Sequence, residues 1–253
     1  MRRIISTSVY FVLLVGIAIA VLLFHKNKIN HTREISKLYI ANNEFRNDNL
    51  SDLPLLKFEA SKNHKKYFLI LIPGDGGWRD VIDYISKNLA KNGINVVGLN
   101  TIPYFSKNKS PQQVAKDLKR IIRNFSSVWK KDSVILGGYS FGAEILPYVY
   151  NQLDSVTKRK VIKILMLAPS NMADFKVSPI YFYSSAKSKP VIPEMQKIDP
   201  GMFIIYCDHY KETICKSLPP NSPYEVININ YRHLFIGHFK DVSDALSHRL
   251  SKI

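Results

Sequence analysis

Cysteine is scarce in this sequence: only Cys207 and Cys215 occur in 253 residues, so the chain is not a small scaffold stapled by several disulfides. Acidic residues are also few, with 20 Asp and Glu against 36 Lys and Arg, for a formal net charge of +16. No internal repeat is visible, and the histidines are scattered without metal-ligand spacing, which argues against a repeat array and against a zinc site. Neither a metal nor another cofactor is expected. What is present is a hydrophobic fraction of 46% with 22% charged residues, enough for a buried core and unlike a disordered chain.

The basic excess suits an anionic partner such as a phospholipid headgroup. The lysines are nevertheless spread along the chain, as a solvated cationic surface would equally require. No recognised nucleic-acid-binding motif accompanies the charge, so nucleic acid is not an expected partner. Residues 7–24, TSVYFVLLVGIAIAVLLF, are uncharged and follow Arg2 and Arg3. Their length is enough to cross a hydrocarbon core of roughly 30 Å. Ala18-Ile19-Ala20 offers a small-x-small cleavage site, but the apolar run continues to Phe24, which favours an uncleaved anchor. Lys26, Lys28, Arg33 and Lys37 follow the segment and by charge count would hold the domain inside. A short basic tail before an apolar core is still the ordinary export signal, and export is expected. The organisation read is a signal or anchor segment over 1–25, a polar tether over 26–52 and one catalytic-size domain over 53–253.

From residue 53 onward short apolar runs alternate with helical patterns, the signature of a parallel sheet with crossover helices. Residues 67–72, YFLILI, predict a central strand buried on both faces. Trp78, Val81, Ile82, Ile85 and Leu89 recur at helical spacing, and Gly93 sits where a left-handed C-cap would end that helix. Ser110-Pro111 supplies an N-cap and a first-turn proline for a helix whose apolar face carries Val114, Leu118, Ile121, Phe125 and Val128. Further strands are expected over 94–99, 132–137, 161–168, 202–206 and 224–229. Helices are expected over 141–153 and around Val242, Ala245, Leu246 and Leu250. Residues 171–200 would form a small cap containing Phe175, Tyr181, Phe182, Tyr183, Ile192 and Met195, either an apolar acyl site or an ordinary packed cap.

Gly138-Tyr139-Ser140-Phe141-Gly142 places G-x-S-x-G between a strand and a helix, the context in which that pattern presents a nucleophile. A serine hydroxyl needs a base, and the base needs an orienting acid. His238, on the loop before the last helix, is the expected base; His233, five residues earlier, competes and reads as a polar residue at a strand end. Asp208, directly after a strand, is the preferred acid, with Glu212 the alternative. The oxyanion donors would be the backbone amides of Phe141 and Asp75. Gly76, Gly77, Trp78 and Glu144 are the expected substrate-binding residues. Cys207 and Cys215 bracket the acid loop and, in an exported protein, would form a disulfide. These readings predict the α/β-hydrolase fold: a mainly parallel sheet with helices on both faces, a small cap and an N-terminal membrane anchor or signal segment.

The residues Gly74-Asp75-Gly76-Gly77-Trp78, Tyr104-Phe105, Gly138 to Pro147, Ala173-Asp174-Phe175, Cys215 and His238-Phe239 together resemble the VirJ/AcvB virulence-associated proteins of bacteria. The resemblance implies a periplasmic α/β-hydrolase tethered to the inner membrane and linked to virulence, in some members to type IV secretion. Longer AcvB-like members look like hydrolases that remove the lysyl group from lysyl-phosphatidylglycerol. Carried over, Ser140 is the nucleophile and His238 the base of a serine esterase acting on an anionic aminoacyl phospholipid, with Asp75, Glu144 or Asp174 available to meet a substrate ammonium. This chain departs from the family after the strand that ends near 207, where the family usually has a glycine and an acidic cluster. It also lacks the extra N-terminal domain of the longer members, which places it with the short VirJ-like form. The competing expectation is a non-catalytic binding or chaperone module for secretion on the same scaffold.

Overall fold

The computed structural model describes residues 50–62, 65–177, 188–209 and 213–253. The expected anchor and most of the tether lie outside them, and among the described residues no helix is long and apolar enough to cross a membrane. In chain order the elements are β1 (Leu55–Phe58), β2 (Tyr67–Ile72), α1 (Asp80–Lys91), β3 (Val96–Leu99), α2 (Thr101–Tyr104), α3 (Pro111–Val128), β4 (Ser133–Tyr139), α4 (Phe141–Asn151), α5 (Ser155–Lys160), β5 (Val161–Leu167), β6 (Met172–Ala173), β7 (Lys189–Pro190), α6 (Ile192–Met195), β8 (Phe203–Cys207), β9 (Glu225–Asn228) and α7 (Phe239–Ser251).

Seven strands form one sheet in the order β1-β3-β2-β4-β5-β8-β9. All neighbours run parallel except β1, which pairs antiparallel with β3 from Leu55 opposite Leu99 to Phe58 opposite Val96. Every residue of β2 is buried, as its unbroken apolar run requires of a strand covered on both faces. Because the parallel strands share one direction, the loops after β2, β4, β5, β8 and β9 all leave the same carboxyl edge. That geometry brings residues far apart in sequence to one site.

The helices start and stop where their residues dictate. Ser110 accepts from the Gln113 amide while the Gln113 side chain accepts from the Ser110 amide, a complete capping box ahead of Pro111. Gly93, at φ +87°, ends α1 in a left-handed conformation open to glycine. Leu50 and Leu53 are already part of the main core, so packing begins slightly before residue 53. The described part of the cap is packed rather than open. Phe175 and Met195 are buried in the core, Tyr148 of α4 meets Phe175 edge to face, and its hydroxyl donates to the Pro190 carbonyl. The adjacent cavity of about 1140 Å³ is lined by Lys109, Lys176, Lys189 and Lys197 with Asp174 and Glu194, and also by Pro111, Tyr148 and Phe175. Tyr181, Phe182 and Tyr183 lie outside the described residues.

Candidate active site

The turn from β4 into α4 sets Ser140. Ser140 adopts φ +51° and ψ −120°, a strained backbone for a residue with a side chain, and its amide donates to the Leu167 carbonyl at 2.8 Å. The flanking glycines make the turn possible. A Cβ on Gly142 would lie 2.0 Å from the Ile72 carbonyl oxygen, and one on Gly138 would lie 2.4 Å from the Ala143 nitrogen. Both contacts are with backbone and cannot be relieved by a rotamer change.

The imidazole that meets Ser140 is that of His233, not the expected His238. His233 Nε2 lies 2.9 Å from Ser140 Oγ, and His233 Nδ1 lies 2.6 Å from Asp208 Oδ2, giving the serine-imidazole-carboxylate chain in one line. Asp208 leaves the end of β8 with its side chain fully buried, in the position expected of the orienting acid. Glu212, the alternative, lies outside the described residues. Tyr139 positions the imidazole: its ring stacks against His233 at 5.6 Å, and its hydroxyl donates to the His233 carbonyl at 2.6 Å. Burial, reinforced by the charges of Asp208 and Asp75, pushes the Tyr139 phenol well above its ordinary range, so it stays a donor.

His238 stands at the start of α7 instead. Its ring stacks on Tyr231 at 4.0 Å, its Nδ1 lies 3.3 Å from Asp241 Oδ2, and its side chain is 46% exposed. The reason is the path between β9 and α7. Phe235 takes φ +51° and buries its ring completely, Gly237 takes φ +82°, and two tight turns close from Phe235 to Arg232 and from His238 to Phe235. The chain is thereby reversed after His233, and the imidazole five residues later is carried to the helix end.

The expected oxyanion donors are placed as amides rather than as side chains. Among the described residues the Phe141 N–H, at the first position of α4, and the Asp75 N–H have no hydrogen-bond acceptor. The loop that carries Asp75 is braced by Thr101, whose hydroxyl donates to the Gly74 carbonyl at 2.6 Å, and by Arg79, whose Nε donates to the Gly76 carbonyl at 2.8 Å. Gly77, expected to bind substrate, instead donates its amide back to Gly74 at 3.0 Å and takes φ +76°. Trp78 is likewise a core residue. It is 2% exposed, stacks on Phe58 at 5.5 Å and fills the space over Gly98, where a Cβ would lie 2.1 Å from its ring. Only Gly98, two strands along the sheet from the elbow, leaves room for an indole there.

Glu144 sits one turn into α4, 8% exposed, and its carboxylate accepts from the Ser170 amide at 3.1 Å. Its own amide donates to the Ser140 carbonyl at 3.0 Å. Burial pushes the carboxyl up to about 7, against the Ser170 hydrogen bond, which favours the charged form. The folded protein therefore holds this proton more tightly than the unfolded chain, and stability falls as pH rises from about 4.5 through about 7. The full loss is on the order of 3 kcal/mol. Glu144→Gln, which keeps an acceptor for Ser170, is expected to flatten this fall. Urea unfolding between pH 5 and pH 8 checks it, and parallel wild-type and variant profiles would contradict the assignment.

Cys207 and Cys215 form a disulfide across the acid loop, with Cα atoms 6.1 Å apart. In the chain-entropy account so short a closure contributes about 2.5 kcal/mol, and it fixes the segment that presents Asp208. Among the described residues no group of His, Cys, Asp and Glu is arranged to hold a metal ion.

Residues 66–253 match the family model described as bacterial virulence protein (VirJ). The chain belongs to the VirJ family. No curated protein matches this VirJ-family sequence. Solved structures that resemble it include an alpha-beta serine hydrolase homologue from Coxiella burnetii, with 19% identity, TM-score 0.52, and coverage of 78% of this chain and 90% of that one. Est1E from Butyrivibrio proteoclasticus shows 12% identity and TM-score 0.54 over 78% of this chain and 93% of its own. An α/β serine hydrolase without lid from Xanthomonas campestris shows 13% identity and TM-score 0.51 over 78% and 88%. At these identities the likeness is one of fold: the VirJ-family chain has the α/β-hydrolase architecture, with a seven-stranded, mainly parallel sheet.

Proposed function

We propose that this VirJ-family chain is a serine ester hydrolase that removes the aminoacyl group from an aminoacyl-phosphatidylglycerol at the periplasmic face of the inner membrane. The observation that carries the reading is the hydrogen-bonded line Ser140–His233–Asp208 at a strained strand-to-helix turn. In the reaction Ser140 Oγ attacks the aminoacyl carbonyl while His233 Nε2 takes its proton. The tetrahedral oxyanion is met by the amides of Phe141 and Asp75. His233 then protonates the departing glycerol oxygen, and a water activated by the same imidazole releases the amino acid. Asp208 holds the imidazole in the required tautomer.

The cationic acyl group is supported by Glu144, a buried carboxylate beside the nucleophile whose charge an incoming ammonium would compensate, and the lipid by the net charge of +16. A disulfide belongs to an oxidising compartment, which supports the periplasm. Asp208 in contact with His233 supports the catalytic reading over a non-catalytic binding module on the same scaffold. Lysyl-phosphatidylglycerol vesicles given the full-length wild-type protein are expected to release free lysine, and Ser140→Ala is expected to abolish the release. Equal release by the two proteins, or none by a folded wild type, would overturn the reading.

A further inference from the structure

Leu234 and Ile236 are 61% and 74% exposed, and Ile236 is the most exposed of the large hydrophobic side chains among the described residues. Their exposure is imposed by the fold. Between them Phe235 is fully buried with its ring 5.7 Å from that of Tyr139, and the two tight turns around it force both neighbours outward. Leaving two such side chains in water forgoes roughly 1.5–3 kcal/mol each, so a rigid, anchored loop that displays them calls for something to cover them. Residues 229–238 hold Arg232, which is also exposed, and no Asp or Glu. Two more exposed apolar side chains, Ile102 at 48% and Met172 at 42%, stand on segments that leave the same carboxyl edge after β3 and β5, Ile102 lying directly against Gly77.

We propose that the loop from Tyr231 to His238 is a membrane-docking wedge: Leu234 and Ile236 enter the interfacial layer of an anionic bilayer and Arg232 rests among its headgroups. Three observations favour a bilayer over a protein partner as the occupant. The tip pairs apolar side chains with a cation and carries no acid, the combination that binds an anionic interface. The body of the chain is strongly basic. The uncharged stretch of residues 7–24 would hold the domain beside a membrane in any case. The inference deepens the esterase reading and rests on it for its purpose, because a wedge one residue from His233 would bring the triad to the surface where a lipid ester is presented.

The test uses the full-length chain in a Ser140→Ala background, with Ile236→Cys carrying an environment-sensitive fluorophore and vesicles containing doxyl-labelled lipid. Val156→Cys, 60% exposed in α5 before the amino end of β5, serves as the reference on the opposite edge of the sheet. The expected result is quenching at position 236 at least about threefold greater than at 156 in phosphatidylglycerol vesicles, and weaker in phosphatidylcholine vesicles. Leu234→Cys gives a second reporter should the first variant fail to fold. Equal quenching at both edges, or an unquenched loop whether bare or covered by another protein, overturns the wedge. Because no catalysis is read, a quenched loop combined with absent lysine release from the wild type would defeat the esterase reading alone.

Discussion

Replacing His233 with alanine is expected to lower kcat for ester hydrolysis by about 10⁴- to 10⁶-fold, while replacing His238 leaves it essentially unchanged. The first substitution removes the only imidazole within reach of Ser140 Oγ among the described residues, together with its contact to Asp208. The second removes a ring stacked on Tyr231 at the start of α7, where it faces Asp241. Steady-state hydrolysis of a simple soluble ester by the two variants, with folding checked by circular dichroism, separates them. The opposite ranking would restore the base expected from the sequence motif and would mean that the loop after β9 takes another path in solution.

Gly142→Ala is expected to destabilise the domain by more than about 4 kcal/mol, because the added methyl would overlap backbone at the centre of the sheet. The Cβ would lie 2.0 Å from the Ile72 carbonyl oxygen and 2.6 Å from that of Pro73, and neither can move without displacing β2 from β4. Gly237→Ala supplies the comparison. Its Cβ would meet nothing within 4 Å, so it carries only the strain of φ +82°, about 1–2 kcal/mol. Urea midpoints for the two variants check the difference. A Gly142→Ala protein as stable as Gly237→Ala would show that the elbow can shift without the rest of the sheet.

Hydrophobic periodicity carried most of the architecture into view. The run at 67–72 became β2 because a continuous apolar strand has no solvent face, and Ser110-Pro111 opened α3 because the capping box is local chemistry. The four-residue strand Leu55–Phe58 gave no comparable signal. It is too short to show a period, and its antiparallel place at the sheet edge depends on pairing with β3. The boundary of the fold was similarly obscured at Leu50, a lone apolar residue in a polar stretch whose burial depends on core it meets only in space.

The site divides along the same line. The amino-acid sequence by itself singled out Ser140, the Phe141 amide, the preference for Asp208 over Glu212 and the Cys207–Cys215 pair, because each belongs to a short segment marked by its own residues: glycines at a tight turn, an aspartate at a strand end, two cysteines eight positions apart. Only the tertiary structure decided which histidine meets Ser140 and where Trp78 packs. His233 was chosen by a buried phenylalanine that reverses the chain beyond it, and Trp78 was drawn into the core by a gap over Gly98 on another strand. Both outcomes depend on packing between segments distant in sequence, and a spacing rule within one segment has no access to the shape of the surface on which that segment lands.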